Sequence, residues 1–195
     1  MTVSLDDVKK LREMTGASMM ACKKALEDMA GDLEKAVDLL RKKGEAKAAE
    51  KAERATGQGI VFSYIHTNKK VGAMIQLACE TDFVAKNEKF IELANDLAMQ
   101  VVASSPRALN PEDIDQAFIE KEREIWAEQL KNEGKPVDKI EMILTNKEKS
   151  AREEYSLMKQ PFIKDPEKKI ENLLTEYISM LGENIKIVRF VRYEI

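Results

Sequence analysis

The residues best suited to catalysis or metal binding are few in this chain, and they stand apart. His66 is the only histidine. With no second His, no Cys and no close carboxylate pair near it in sequence, it is a poor metal or triad candidate and reads as a strand-end residue without a catalytic role. The two cysteines, Cys22 and Cys79, are far apart and form no CxxC or Cys/His pair. That disfavours structural zinc and favours two half-buried thiols in a reducing compartment over a disulfide. No GxGxxG follows a strand, no GxxxxGK[ST] exists, and GxSxG is absent, so no nucleotide site or nucleophile elbow is recognisable. Carboxylates are abundant but scattered over helix surfaces, where solvation accounts for them. The sequence therefore reads as that of a protein without enzymatic chemistry or a cofactor. What remains is recognition: "TGASMM" near the N-terminus, and "TDF" at Thr81 to Phe83.

Neither stretch acts without elements that hold it. The chain has 195 residues with 44% hydrophobic content, enough to bury a core in one or two domains. Charged residues make up 34% but nearly balance, giving a formal net charge of -3. That disfavours nucleic-acid binding, which normally leaves a basic excess. The opening "MTVSLDDVKK" has no apolar signal core, and no apolar run approaches membrane-spanning length. The expectation is a soluble, cytoplasmic protein with no membrane partner.

The first 43 residues predict three short helices. Ser4 can cap the first, with Asp7 in the reciprocal capping-box position, and Leu5, Val8 and Leu11 share its buried stripe until Gly16. The second runs from about Ser18 to Ala30. Asp32 caps a third, whose Leu33, Ala36, Val37 and Leu40 follow the i, i+3, i+4, i+7 template. Helices this short must pack together to persist. "RKKGEAKAAEKAERATGQG" then favours helix but shows almost no apolar face, so it reads as a solvated helical linker. The division expected is 1–55, three helices plus linker, and 56–195, a single-copy α+β core with a C-terminal module.

In that core, "IVFSYIH" and "VGAMIQLAC" read as strands joined by the hairpin signal "TNKK". Val71, Ala73, Ile75, Leu77 and Cys79 alternate onto one face. Asn87 can cap a helix in which Phe90, Ala94, Leu97, Ala98 and Val101 form the buried stripe, with Pro106 beyond its end. Two charged helices come next, at roughly 112–132 and 136–158, with Trp126 as a packing anchor. Asp165 as N-cap and Pro166 at the first helical position predict the start of a final helix carrying Ile170, Leu173, Leu174, Tyr177, Ile178 and Leu181. "IKIVRFVRYEI" is a strand whose alternation slips between Ile187 and Val188, the mark of a bulge or of burial on both faces. The fold class is α+β: three N-terminal helices, then helices packed on a small, mainly antiparallel three-stranded sheet.

Two features of this plan are left over. Met19 and Met20 are adjacent at the start of the second helix and cannot both face its core, so one is available as an adaptable interface residue. Phe83 sits in a strand-to-helix corner beside Asp82, either folded back into the core or left outside for a partner to bury.

Longer motifs then carry a resemblance. "LREMTGASMMACKKAL" (Leu11 to Leu26) resembles the N-terminal signature of the elongation factor Ts family, L-R-x-x-T-G-x-[GS]-M-M-x-C-K-K-A-L. "QLACETDFVAKNE" resembles the family's second signature, and "QPFIKDP" and "GENIKIVRFVRYE" its later motifs, all in the family's order along essentially the whole chain. Ala21 stands where the family commonly has an acidic residue, and Ala78 where it often has Asn. The strand-hairpin-TDF-helix module occurs once, as in the short form of the family.

The resemblance implies a guanine-nucleotide exchange factor for elongation factor Tu, binding it in GDP-bound and nucleotide-free states and promoting GDP release. It implies a ubiquitin-associated-like fold for the N-terminal helices, which dock on the GTPase through the region of Arg12, Met19 and Met20. It further implies that Thr81, Asp82, Phe83 and Val84 intrude beside the GTPase's Mg²⁺ and displace that ion, and that a homodimer forms through the core. A competing reading takes the three helices as a ubiquitin-associated adaptor module. Such modules usually present Met-Gly-aromatic at the first loop, whereas "MTGAS" places Thr15 after Met14 and Ala17 after Gly16.

Overall fold

Serine and aspartate side chains start the first three helices of the structure, a computed structural model that describes residues 3–195. Ser4 caps α1 (Leu5–Thr15) by accepting from the Asp6 N–H; the reciprocal bond expected from Asp7 is not made. Ser18 caps α2 (Met19–Asp28) and Asp32 caps α3 (Leu33–Lys51). Gly16 closes α1 in the left-handed region at φ 64°, where a side chain is strained. Val8, Leu11, Cys22, Ala25, Leu26 and Ala36 form a small core between the three helices.

The helix expected for the linker after residue 43 forms, but its full solvation is corrected by the structure. α3 does not stop there but continues to Lys51, and one side of the extension is buried against the rest of the chain. Gly44 is buried, and half-buried Ala48 packs on the main core. This face is made of residues too small to register as apolar, which is why the hydrophobic pattern shows nothing there.

β1 (Gln58–Ile65) and β2 (Val71–Cys79) form an antiparallel hairpin, and β5 (Ile185–Glu194) pairs antiparallel with the other edge of β2. The β2–β5 register shifts between Gln76 and Leu77, opposite Arg189 and Ile187, so Val188 is the extra residue. This is the bulge that the slipped alternation predicts. One face of the sheet is covered by α5 (Glu88–Ser104) and α8 (Ile170–Leu181), and Ile75, Leu77, Phe90, Leu93, Leu97 and Ile170 are fully buried there. The other face carries exposed Val61, Ile65, Met74, Val191 and Tyr193. The α+β expectation, with its three-stranded antiparallel sheet, is borne out.

Between the corner and β5 the chain makes two excursions. α4 (Asp82–Ala85) is a single turn before α5. α6 (Gln116–Asn132) and α7 (Val137–Tyr155) form a helical hairpin with its own small cluster, in which Trp126 packs beside Leu130, Ile140 and Leu144.

The start of the last helix is a second correction. Asp165 and Pro166 do not cap it; they lie in β4 (Asp165–Lys169), which pairs with β3 (Pro161–Phe162), and α8 begins at Ile170. The cause is tertiary. Fully buried Gln100 accepts from the Ile163 N–H (2.9 Å) and donates to the Pro161 carbonyl (3.1 Å), fixing the chain as a ribbon. Proline is tolerated there because a two-stranded ribbon leaves its outer positions without ladder bonds. Both cysteines are fully buried and free, deeper than the half-buried thiols expected.

Candidate functional site

β2 is the central strand, and its ladder to both neighbours ends at Cys79, paired with Gln58 and Ile185. The corner begins there. Thr81 is extended (φ −124°, ψ 158°) and caps α4, its Oγ1 accepting from the Val84 N–H at 3.4 Å. In this one turn Ala85 is buried and Val84 packs against the main core. With about 100° between successive residues, turning Val84 and Ala85 inward turns Asp82 and Phe83 outward.

Phe83 is 82% exposed, and among the large hydrophobics of the described residues only Ile195 exceeds it. A Phe left in water forgoes about 1.5–3 kcal/mol of burial. The core reading of Phe83 is therefore excluded. Asp82 is also exposed and pairs with Lys86 one turn on, at 2.8 Å. The Lys86 ammonium, which donates to its carboxylate, holds the Asp82 carboxyl below the usual range.

The chain behind the corner is tied down. Cys79 Sγ donates to the Thr81 carbonyl at 3.1 Å. Burial, with Glu183 nearby, pushes this thiol's pKa up. Glu183, between α8 and β5, accepts from the Glu80 N–H (3.1 Å), the Thr81 N–H (3.0 Å) and the Thr81 hydroxyl (2.6 Å). Glu80 accepts from the Asn184 N–H at 2.6 Å, and Asn184 Nδ2 donates to the Ala52 and Arg54 carbonyls at 3.3 and 2.8 Å. Sequence reasoning assigned neither Glu183 nor Asn184 a role. Their partners lie more than 100 positions away, and the only signal was their place in the "GENIKIVRFVRYE" motif.

The N-terminal candidates occupy a different surface. Met19 is half-buried and packs into the three-helix core, while Met20 is 76% exposed, the division that their adjacency requires. Arg12 is exposed in the last turn of α1. Arg12 lies on α1 and Met19 and Met20 on α2, whereas Thr81, Asp82, Phe83 and Val84 form the corner at α4, so the candidates stand on different elements. His66 sits just beyond β1 with its Nδ1 3.2 Å from the Tyr64 hydroxyl. Among the described residues, no group of three or more His, Cys, Asp or Glu side chains converges as a metal site, and no helix is long and apolar enough to cross a membrane.

A family model described as "Elongation factor TS" matches residues 6–195. The chain is 53% identical over 193 residues to the elongation factor Ts of Thermosipho melanesiensis, covering 99% of this chain and 98% of that one. It is 52% identical over 195 residues to that of Thermodesulfovibrio yellowstonii, covering 100% and 97%. To that of Nitratidesulfovibrio vulgaris it is 49% identical over 195 residues, covering 100% and 98%.

Proposed function

Because the chain belongs to the elongation factor Ts family, a family of translation elongation factors, we propose that it is a guanine-nucleotide exchange factor. It binds elongation factor Tu in its GDP-bound and nucleotide-free states, displaces Mg²⁺ from that GTPase and promotes GDP release. The observation that carries this reading is the 82% exposure of Phe83 on a turn whose backbone is otherwise fixed. A large aromatic held in water by a capped, anchored corner is an anchor awaiting a pocket.

The mechanism follows from that geometry. Mg²⁺ bridges nucleotide phosphate to protein oxygens, so disturbing the elements that hold it weakens nucleotide retention. Phe83 enters a pocket of the GTPase beside the ion, and its burial supplies driving energy of about 1.5–3 kcal/mol. Thr81 holds the turn, Val84 roots it in the core, and Asp82 supplies polar contacts at the rim. Arg12, Met19 and Met20 dock the N-terminal helices on the same GTPase. Binding linkage is reciprocal, so GDP must loosen the exchange factor by the factor by which the exchange factor loosens GDP. No covalent step is needed, and the protein is not an enzyme in that sense.

The uncovered sheet face supports pairing of two copies through the core. Met74 and Val191 lie in one cross-strand row beside Ser63, and Ile65 and Tyr193 flank Gly72 in the next, so four of the six positions present large, largely apolar side chains outward. Sedimentation should show a dimer for the native chain and a monomer for Val191→Glu. A native monomer at tens of micromolar would remove the dimer.

Release of fluorescent GDP from purified elongation factor Tu tests the function directly. Catalytic amounts of the protein should accelerate release. Unchanged release at micromolar protein, with both partners folded, refutes the assignment.

A further inference from the structure

The exposed corner has an unsolved problem of its own. α4 is one turn long, and a single helical turn is not stable by itself because the first hydrogen bond fixes several residues. Phe83 contributes no packing that would hold it, since it points into solvent. The β2 ladder has also ended at Cys79, so the N–H groups of Glu80 and Thr81 have no strand partner. Unpaired backbone donors in a half-buried site would favour other conformations of the corner.

One carboxylate answers all of this. Glu183 Oε2 accepts from both orphaned N–H groups, at 3.1 and 3.0 Å, and Oε1 accepts from the Thr81 hydroxyl at 2.6 Å. The hydroxyl spends its only proton on Glu183. That leaves its lone pairs free to accept from the Val84 N–H, the bond that caps α4. The cap's polarity is thus set by Glu183, and ionised acceptors make the stronger bonds. The next residue, Asn184, fastens the same loop to the end of α3 through the Ala52 and Arg54 carbonyls, so Glu183 is itself held.

We propose that Glu183 is the positioning residue of the Phe83 corner: it fixes the direction of the wedge before the GTPase is met. This rests on the exchange-factor reading above. Prior fixing matters because the wedge acts in the exchange step, after the N-terminal helices have docked. A wedge that must first be ordered there loses part of the interaction energy that drives release. Glu183 acts through Phe83 and not by contact with the partner.

The test is a double-mutant cycle on GDP release from elongation factor Tu, with Glu183→Ala, Phe83→Ala and the double variant. Maximal release rate, half-saturating concentration and melting temperature are recorded for each. Glu183→Ala should lower the maximal rate about 10-fold, on the order of 1.4 kcal/mol, with the half-saturating concentration little changed. In the Phe83→Ala background it should cost less than about 2-fold, since the residue it positions is gone. Amide exchange at Glu80 and Thr81 should speed up in Glu183→Ala. Equal losses in both backgrounds, or a loss seen only in half-saturation, overturn the proposal. A Glu183→Ala variant that exchanges normally while Phe83→Ala does not also overturns it, leaving the exchange reading intact. If Phe83→Ala itself exchanges normally, the wedge reading falls and this proposal with it. Should Glu183→Ala not fold, Glu183→Gln carries the same cycle. It keeps an acceptor for the two N–H groups but turns a donor toward the Thr81 hydroxyl, and the same interpretation applies.

Discussion

Gly44 of α3 faces Ser179 of α8 so closely that a Cβ on the glycine would lie 3.8 Å from the Cβ of the serine. That is ordinary contact distance, so the site accepts one methyl and little more. Gly44→Ala should stabilise the protein by about 0.5–1 kcal/mol, because glycine in a helix interior costs roughly that much relative to alanine. Gly44→Leu should force α3 away from α8 and cost about 1–3 kcal/mol. Urea unfolding of both variants checks the pair. Equal behaviour would mean that the two helices do not pack closely.

Phe83→Ala should leave the melting temperature nearly unchanged, because the ring is 82% exposed. A buried Phe would cost about 3–5 kcal/mol on the same change. GDP release should nevertheless fall by about 30- to 1000-fold, the equivalent of about 2–4 kcal/mol at an interface anchor. Unfolding and release measured on one preparation decide it; a large drop in melting temperature refutes the exposed geometry.

Met20→Ala should act on the other surface. With Met20 76% exposed, stability should hold. The half-saturating concentration for exchange should rise by about 5- to 30-fold, or about 1–2 kcal/mol, while the maximal rate stays as in the native protein. A fall in the maximal rate instead would place Met20 in the exchange step and not in docking.

Tyr177 gives a pH dependence of stability. Burial, reinforced by the carboxylates of Glu92, Asp96 and Glu176, pushes its phenol up to about 12 from an ordinary value of 10.0. Below pH 10 the phenol is neutral in both folded and unfolded chains, and its contribution is intact. Between there and about 12 the unfolded chain ionises first, so stability falls as pH rises. The alkaline loss should be smaller in Tyr177→Phe. The part of the 295 nm titration that this substitution removes should centre near pH 12. A component centred near pH 10 would contradict the desolvation of the phenol.

Where one face of an element is strongly apolar, the sequence identified it correctly: β2, α5 and α8 lie where their periodicity places them, and the bulge at Val188 falls where the alternation slips. Small residues hid what apolar ones reveal, so the contact of Gly44 and Ala48 was unreadable. Pro166 was ambiguous because its fixed φ suits both a first helical turn and an extended ribbon, and tertiary bonds from Gln100 and Asp96, 60 or more positions away, hold the ribbon. At the corner, the residues Thr81 to Val84 were legible as a motif, but the outward turn of Phe83 was not. Phe83, Val84 and Ala85 are all apolar, and which of them faces in depends on the cap and on Glu183, 102 positions from Thr81.

The continuity of α3 has a metrical consequence. Its 19 residues make a stiff rod of about 28 Å, with α1 and α2 packed on its first half and α8 on its second, where Gly44 meets Ser179. Met180 of α8 also reaches Gly16 at the end of α1. The span from Met20 to Phe83 is therefore gauged like the jaws of a caliper, and a target can engage both only if its own two sites match that gauge. When they match, the second contact forms at the high effective concentration of a tethered group. The gauge is also a screw. One residue inserted after Leu40 would swing the N-terminal jaw by about 100° while advancing it only about 1.5 Å, and would part Gly16 from Met180. Four would lengthen the span by about 6 Å yet restore the phase to within roughly 40°. Angle and reach, which usually vary together in a linker, are here separately addressable by counting residues.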